Sequence, residues 1–129
     1  MDEKKEIKDF NDLLAWQNGH ALVLAIYRLT KLFPPEEKFG LISQIQRAAS
    51  SITANIAEGY ERYYFKDKIR FYYNSRASLA EVQNFLFVVK DLGFIGENIF
   101  NRLFIDTKTV GKLINGLIKS TESQLNIHK

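Results

Sequence analysis

LISQIQRAASSITANIA, residues 41–57, is the stretch on which the fold turns. Leu41, Ile45, Ala48, Ile52 and Ile56 recur at steps of three and four, with Tyr63 two turns on, the spacing that places side chains on one face of an α-helix. A polar line runs beside this apolar stripe at the same steps: Gln44, Arg47, Ser51, Asn55, Glu58 and Arg62. The remaining arc is small rather than charged, formed by Ser50, Thr53, Ala54 and Ala57, and between Leu41 and Ala57 the sole formal charge is Arg47. A helix without a charged outer face is expected to be covered on more than one side. Small side chains let another helix approach closely, so the arc is expected to form a contact between copies of the chain. An alanine-rich surface facing water is the alternative.

Working outward, prolines and glycines cut the chain into four pieces of similar length, each with helical period. The first is expected over roughly 12–32, with Leu14, Ala21, Leu24, Ala25 and Leu32 near one face and Pro34 and Pro35 as its stop. The second is expected over roughly 35–60, because proline is pre-shaped for a first turn and Glu36 and Glu37 suit the positive end of a helix dipole. The third runs over roughly 66–92 and ends at Gly93 and Gly96. The fourth, over roughly 97–126, carries the stripe Ile99, Leu103, Val110, Leu113, Leu117 and Leu125, weakened at Gly111 and Gly116. Short connections between long helices favour antiparallel neighbours, so the expected fold is all-α, an antiparallel up-and-down four-helix bundle occupying 1–129 as one domain.

Length and composition agree. At 129 residues, with 46% hydrophobic and 26% charged side chains and two prolines, the chain can build one core without staples. It has no cysteine, so disulfides and thiolate chemistry are excluded and a cytoplasmic setting is expected. Residues 1–10 are charged and lack the apolar centre of a secretory signal. The longest apolar run, residues 21–27, is far shorter than the ~20 residues that cross a bilayer. A net charge of +3 and a pI near 9.1 permit contact with nucleic acid without requiring it.

Specific segments carry a resemblance: Phe39-Gly40-Leu41, Ser43-Gln44-Ile45-Gln46-Arg47-Ala48-Ala49, Ser51-Ile52-Thr53-Ala54-Asn55-Ile56-Ala57-Glu58-Gly59, Arg76-Ala77-Ser78-Leu79-Ala80-Glu81 and Asp91-Leu92-Gly93-Phe94. In these the chain resembles the 23S ribosomal RNA intervening-sequence protein family over most of its length. The resemblance implies a four-helix bundle, commonly a homopentamer, found in bacteria and sometimes encoded within insertions in ribosomal RNA genes. The accessory protein of diversity-generating retroelements is related and looks like a basic pentamer that engages nucleic acid and a reverse transcriptase. Neither relation implies a reaction. This chain has Gln46 where the family often has arginine, Thr53 where it often has proline and Ala77 where it often has glycine. The missing proline predicts a straighter second helix. Arg47, Asn55, Glu58, Arg76 and Glu81 are the polar residues the family pattern singles out, and a buried hydrogen-bonded network among them is the expected role, ahead of ligand contact.

The segment from Tyr60 to Arg76 interleaves aromatic and basic residues, a mixture that can supply base stacking and phosphate contacts together. Arg62, Lys66, Lys68 and Arg70 are the candidate nucleic-acid contacts, expected on an exposed rim. The competing reading, which weighs more, is that a helix start buries aromatics and exposes lysines by default. No catalytic, cofactor or metal residue is assigned. His20 and His128 lack the paired spacing of a metal helix, Glu-x-x-His pairs are missing, and isolated Gly19 and Gly40 make no phosphate-cradling loop. The sequence therefore points to a non-enzymatic homo-oligomeric bundle whose partners are itself and RNA or a nucleoprotein complex. A purely structural self-assembling bundle is the alternative.

Overall fold

The computed structural model of the chain describes residues 6–127. Four helices, α1 (Leu14–Leu29), α2 (Ser43–Glu61), α3 (Phe65–Asp91) and α4 (Glu97–Ile127), pack in a ring in which each touches the next and α4 returns to α1. This is the expected all-α up-and-down four-helix bundle, and among the described residues no strand is present.

The core follows the α2 stripe. Ile45, Ala48, Ile52 and Ile56 are buried together with Ala49, and they face Leu22 and Ile26 of α1, Tyr72, Leu79, Val82, Leu86 and Val89 of α3 and Val110 and Ile114 of α4. Leu41 is half-buried, whereas Tyr63 lies beyond the end of α2 and is almost fully exposed, so the expected stripe closes at Ile56, two turns early. The start of α2 also differs. Residues 35–42 form a 3-10 turn, Pro35–Glu37, and then a wide π-type turn, Lys38–Ile42, in which Gly40 has φ −110 and ψ −108. That backbone is non-helical, so the regular helix begins only at Ser43. From there α2 runs unbroken through Thr53, in line with a straight helix.

On α1 the expected face is not the core face. Leu14, Ala21, Leu24 and Leu32 are exposed and Ala25 is only half-buried, whereas Ala15, Gly19, Leu22, Ile26 and Leu29 are buried. Both sets have helical spacing, but only the second includes Gly19, which lets α2 come close: a Cβ there would meet Thr53 Cγ2 at 3.1 Å. On α4, Leu103 and Val110 are buried as expected, while Ile99, Leu113, Leu117 and Leu125 flank a core line completed by Phe100, Thr107, Ile114, Ile118 and Thr121. Thr107 and Thr121 satisfy their hydroxyls by donating to the carbonyls of Phe104 and Leu117, at 2.6 and 2.8 Å. Gln46 donates to the buried Thr30 hydroxyl at 3.0 Å and so ties the end of α1 to α2.

The turn after α3 is set by Gly93, whose φ of +79 is a left-handed conformation that favours glycine. Its N–H donates to Lys90 O and that of Phe94 to Val89 O, both at 2.9 Å, the paired bonds of a glycine-terminated helix. Phe94 then meets Phe33, ring centroids 5.7 Å apart, and caps that end of the bundle.

The close approach of α2 to α3 makes stability sensitive to a single methyl group. At Gly59 a Cβ would fall 2.7 and 2.9 Å from Tyr72 ring carbons and 3.0 Å from Phe71 Cβ. Alanine gains about 0.5–1 kcal/mol over glycine in a helix, but overpacking costs about 1–3 kcal/mol, so sterics win. Gly59→Ala is expected to lower unfolding free energy in urea by about 1–2 kcal/mol, whereas Gly116→Ala, with nothing within 4 Å, raises it by about 0.5–1 kcal/mol.

The same seam makes stability depend on pH. The Tyr72 phenol is pushed up to about 12, first by burial and then by the neighbouring Tyr60. An unfolded tyrosine titrates near about 10. Above that pH the unfolded chain loses a proton that the folded chain keeps. Stability is therefore complete below about pH 10 and falls as pH rises toward about 12, by roughly 2–3 kcal/mol in all. Urea midpoints measured at rising pH should show this decline in the parent protein and a shallower one in Tyr72→Phe.

Candidate nucleic-acid interface

The corner between α2 and α3 is built by three residues. Arg62 and Tyr64, at the ends of the connection, are extended, with φ/ψ of −69/145 and −86/137, and extended backbone carries successive side chains to opposite sides. The site below them is already filled by Tyr72 against Gly59. Tyr63 and Tyr64 accordingly stand out at 86% and 67% exposure, edge to face, with ring centroids 5.0 Å apart. Beside them opens a cavity of about 800 Å³ lined by Tyr63, Tyr64, Phe65, Lys66, Asp67 and, from the end of α4, Leu125.

The four expected basic contacts divide. Lys66 is exposed in the cavity wall. Arg62 is exposed and lies over the Phe71 ring at 4.4 Å, a contact that holds the guanidinium at the rim. Arg70 is exposed as well, 5.1 Å over the same ring, and pairs with Asp67 at 3.7 Å. Lys68 departs from the expected exposed rim. Its ammonium turns back to donate to the Tyr60 carbonyl and sits 5.4 Å over the Tyr60 ring, and burial lowers its pKa despite the opposing charge of Glu61. Facing the α2 end rather than solvent, it closes the corner structurally.

The polar network expected among Arg47, Asn55, Glu58, Arg76 and Glu81 is not formed. Arg47, Glu58, Arg76 and Glu81 are exposed, and no hydrogen bond or ion pair joins any two of the five among the described residues. Arg47 and Glu81 do line one groove between α2 and α3, together with Ser51 and Ser78. The bonded network uses small hydroxyls instead: Asn55 Nδ2 donates to Ser51 O and Oγ at 2.8 and 3.0 Å, Ser78 Oγ lies 3.0 Å from Ser51 Oγ, and Ser75 Oγ donates to Ile52 O at 2.7 Å. Short side chains fit where the helices are closest, and long charged ones reach out past them to water. Arg76 instead donates to Asn115 of α4 at 3.0 Å.

The small arc of α2 is largely covered from within the chain. Ser50 Oγ lies 3.2 Å from the Tyr27 hydroxyl, Thr53 packs on Gly19, and Ala57 shares a hollow with Phe10 of the N-terminal 3-10 turn. Of the four residues only Ala54 is exposed. The uncharged face of α2 therefore finds its cover in α1 and the Phe10–Asp12 turn, without requiring a second copy. Large exposed apolar side chains lie elsewhere, among them Leu14 (63%) and Leu24 (42%) on α1, Leu32 (58%) in the turn that ends it, Phe39 (89%) ahead of α2, Leu92 (56%) at the end of α3 and Ile105 (64%) of α4.

A further basic feature lies on α4, where no site residue was expected. Lys108, Lys112, Asn115 and Lys119 recur at i, i+4, i+7 and i+11, a polar stripe on the outer face of the helix, all exposed. Their spacing in the sequence is the signal that marks them. His20 stacks on Trp16 with centroids 4.6 Å apart, while His128 lies outside the described residues. Among the described residues no three His, Asp or Glu side chains are grouped to hold a metal ion, and no helix is long and apolar enough to cross a membrane.

The same bundle occurs in a solved structure. A crystal structure of a protein of unknown function from the S23 ribosomal protein family of Bacteroides thetaiotaomicron VPI-5482 superposes with a TM-score of 0.76. The alignment covers 82% of this chain and 99% of that one at 23% identity, a likeness of fold. No curated protein matches the sequence. The sequence pattern of the family described as 23S rRNA-intervening sequence protein matches residues 11–116, and the chain belongs to that family.

Proposed function

We propose that this chain is a non-enzymatic, self-assembling bundle of the bacterial cytoplasm that serves as a binding or scaffold protein for RNA or a nucleoprotein complex. The observation that carries the reading is the α2–α3 corner, where Tyr63 and Tyr64 are held out in solvent beside Arg62 and Lys66. Exposing two aromatic rings forgoes the burial that would stabilise them, and rings next to cations suit a partner with both flat bases and phosphates. Self-assembly, as a pentamer by family resemblance, is supported by the exposed leucines of α1 and its end, Leu14, Leu24 and Leu32. Those side chains alone would equally serve a purely structural assembly, which makes nucleic-acid binding the measurement that separates the two readings.

For assembly, light scattering at micromolar concentration should give a particle well above the 15.0 kDa of one chain. Leu24→Glu with Leu32→Glu should shrink it toward one chain with unchanged helical circular dichroism, because an exposed position accepts glutamate but a packed interface does not. A particle of one chain's mass in the parent protein overturns the assembly.

For binding, RNA affinity should fall steeply with salt. Arg62→Glu with Lys66→Glu should flatten log K against log salt by about 0.7–0.9 for each phosphate that the variant no longer neutralises, and leave the fold intact. Lys68→Glu is no substitute, since Lys68 closes the corner. Salt-independent binding, or none, would leave the structural assembly as the function.

A further inference from the structure

We infer that the corner cavity takes an unpaired nucleobase and that the outer face of α3 and α4 carries the strand leading to it, so that the preferred ligand is single-stranded RNA. The inference rests on the proposed RNA-binding reading and narrows it.

Three observations converge. The cavity, at about 800 Å³, falls within the ~300–1,000 Å³ of sites that enclose small molecules, and its wall offers the Tyr63 and Tyr64 rings and the Lys66 ammonium. Rings so exposed can stack on any base whose face is free, whereas the bases of a duplex interior are already stacked on both faces. Next, the polar face is continuous with the cavity. Lys66, Arg70 and Tyr73 recur at i, i+4 and i+7 along α3, Arg76 lies 4.6 Å over the Tyr73 ring, and its bond to Asn115 joins this line to the α4 stripe.

Finally, the stripe is basic and unneutralised: Lys108, Lys112 and Lys119 are exposed and take part in no ion pair among the described residues. From Lys108 to Lys119 it spans about 16 Å at the helical rise. That distance matches about five nucleotides at the ~3.4 Å rise of a stacked strand. A basic track leading to a stacking platform is the arrangement by which single strands are held without sequence preference.

The test compares a labelled twelve-nucleotide RNA of mixed sequence with its own duplex by fluorescence anisotropy at several salt concentrations. The single strand should bind roughly ten-fold or more tightly than the duplex. Tyr63→Ala with Tyr64→Ala should weaken the single strand by about ten-fold with the salt slope unchanged, and Tyr63→Phe with Tyr64→Phe should restore it, since stacking needs the ring and not the hydroxyl. Lys112→Glu with Lys119→Glu should weaken binding and flatten the slope. Circular dichroism controls for folding, and Tyr63, Tyr64, Lys112 and Lys119 are all exposed. Equal affinity for strand and duplex, or no effect of the tyrosine change, overturns the inference while RNA binding itself stands. Failure of both ligands to bind overturns the RNA reading along with it.

Discussion

The backbones of α2 and α3 come close because the residues between them are small: Gly59, Ala48 and Ser51 on one side, Ser75 and Ser78 on the other. Tyr72 fills what Gly59 leaves empty, and Ser75 uses the proximity to reach the Ile52 carbonyl, so a buried hydroxyl is satisfied without a long polar side chain. The rest of the corner is a consequence. With the space under the connection taken, Tyr63 and Tyr64 have no core to enter, and the short link between helices leaves no slack to fold them back. Lys68, nearest the seam, bonds to the open carbonyl at the end of α2, and Arg62 and Arg70 both settle over the Phe71 ring.

Helix existence and order were legible because each segment has one dominant period and clear punctuation. On α2 the stripe of Ile45, Ile52 and Ile56 has no rival, and its burial is complete. On α1 there are two apolar stripes about one residue apart, and summed hydrophobicity does not choose between them. Gly19 breaks the tie, since the position without a side chain marks the line of closest approach; the sequence shows the glycine, but its partner Thr53 is known only once the helices are assembled. The start of α2 departs from expectation for a local reason. Pro35 and the glutamates do begin helical turns, but Gly40 accepts a non-helical backbone that shifts the register before Ser43.

Legibility of the candidate site had a different limit. The aromatic and basic segment from Tyr60 to Arg76 stands out by composition, yet composition makes its four candidate contacts equivalent. Which of them faces water depends on direction around α3 and on the carbonyls nearby, and that separates Lys68 from Lys66. The expected network among Arg47, Glu58 and Glu81 is missing for a related reason: residues bordering a core line can turn either way, and at a seam closed by serines the long ones turn outward. The α4 lysines differ again, because their helical spacing alone places them on one polar face.

In a square of four helices α1 and α3 stand on opposite corners, so the two unusual surfaces of this molecule do not compete. Leu14, Leu24 and Leu32 lie on α1 and the turn that ends it, with Leu92 exposed at the far end of α3, while the aromatic corner and the Arg76–Asn115 junction belong to α3 and its flanks. Assembly through α1 would bury the leucines and leave every α3 face open, each with its own cavity. Several weak sites held at fixed spacing act on one strand as tethered modules, and the second engagement then forms at an effective concentration set by geometry rather than by bulk protein. Under the proposed function, one corner with two exposed rings beside Arg62 and Lys66 would be a modest binding site, and a ring of such corners would hold one strand more tightly, self-association supplying affinity that one small bundle lacks.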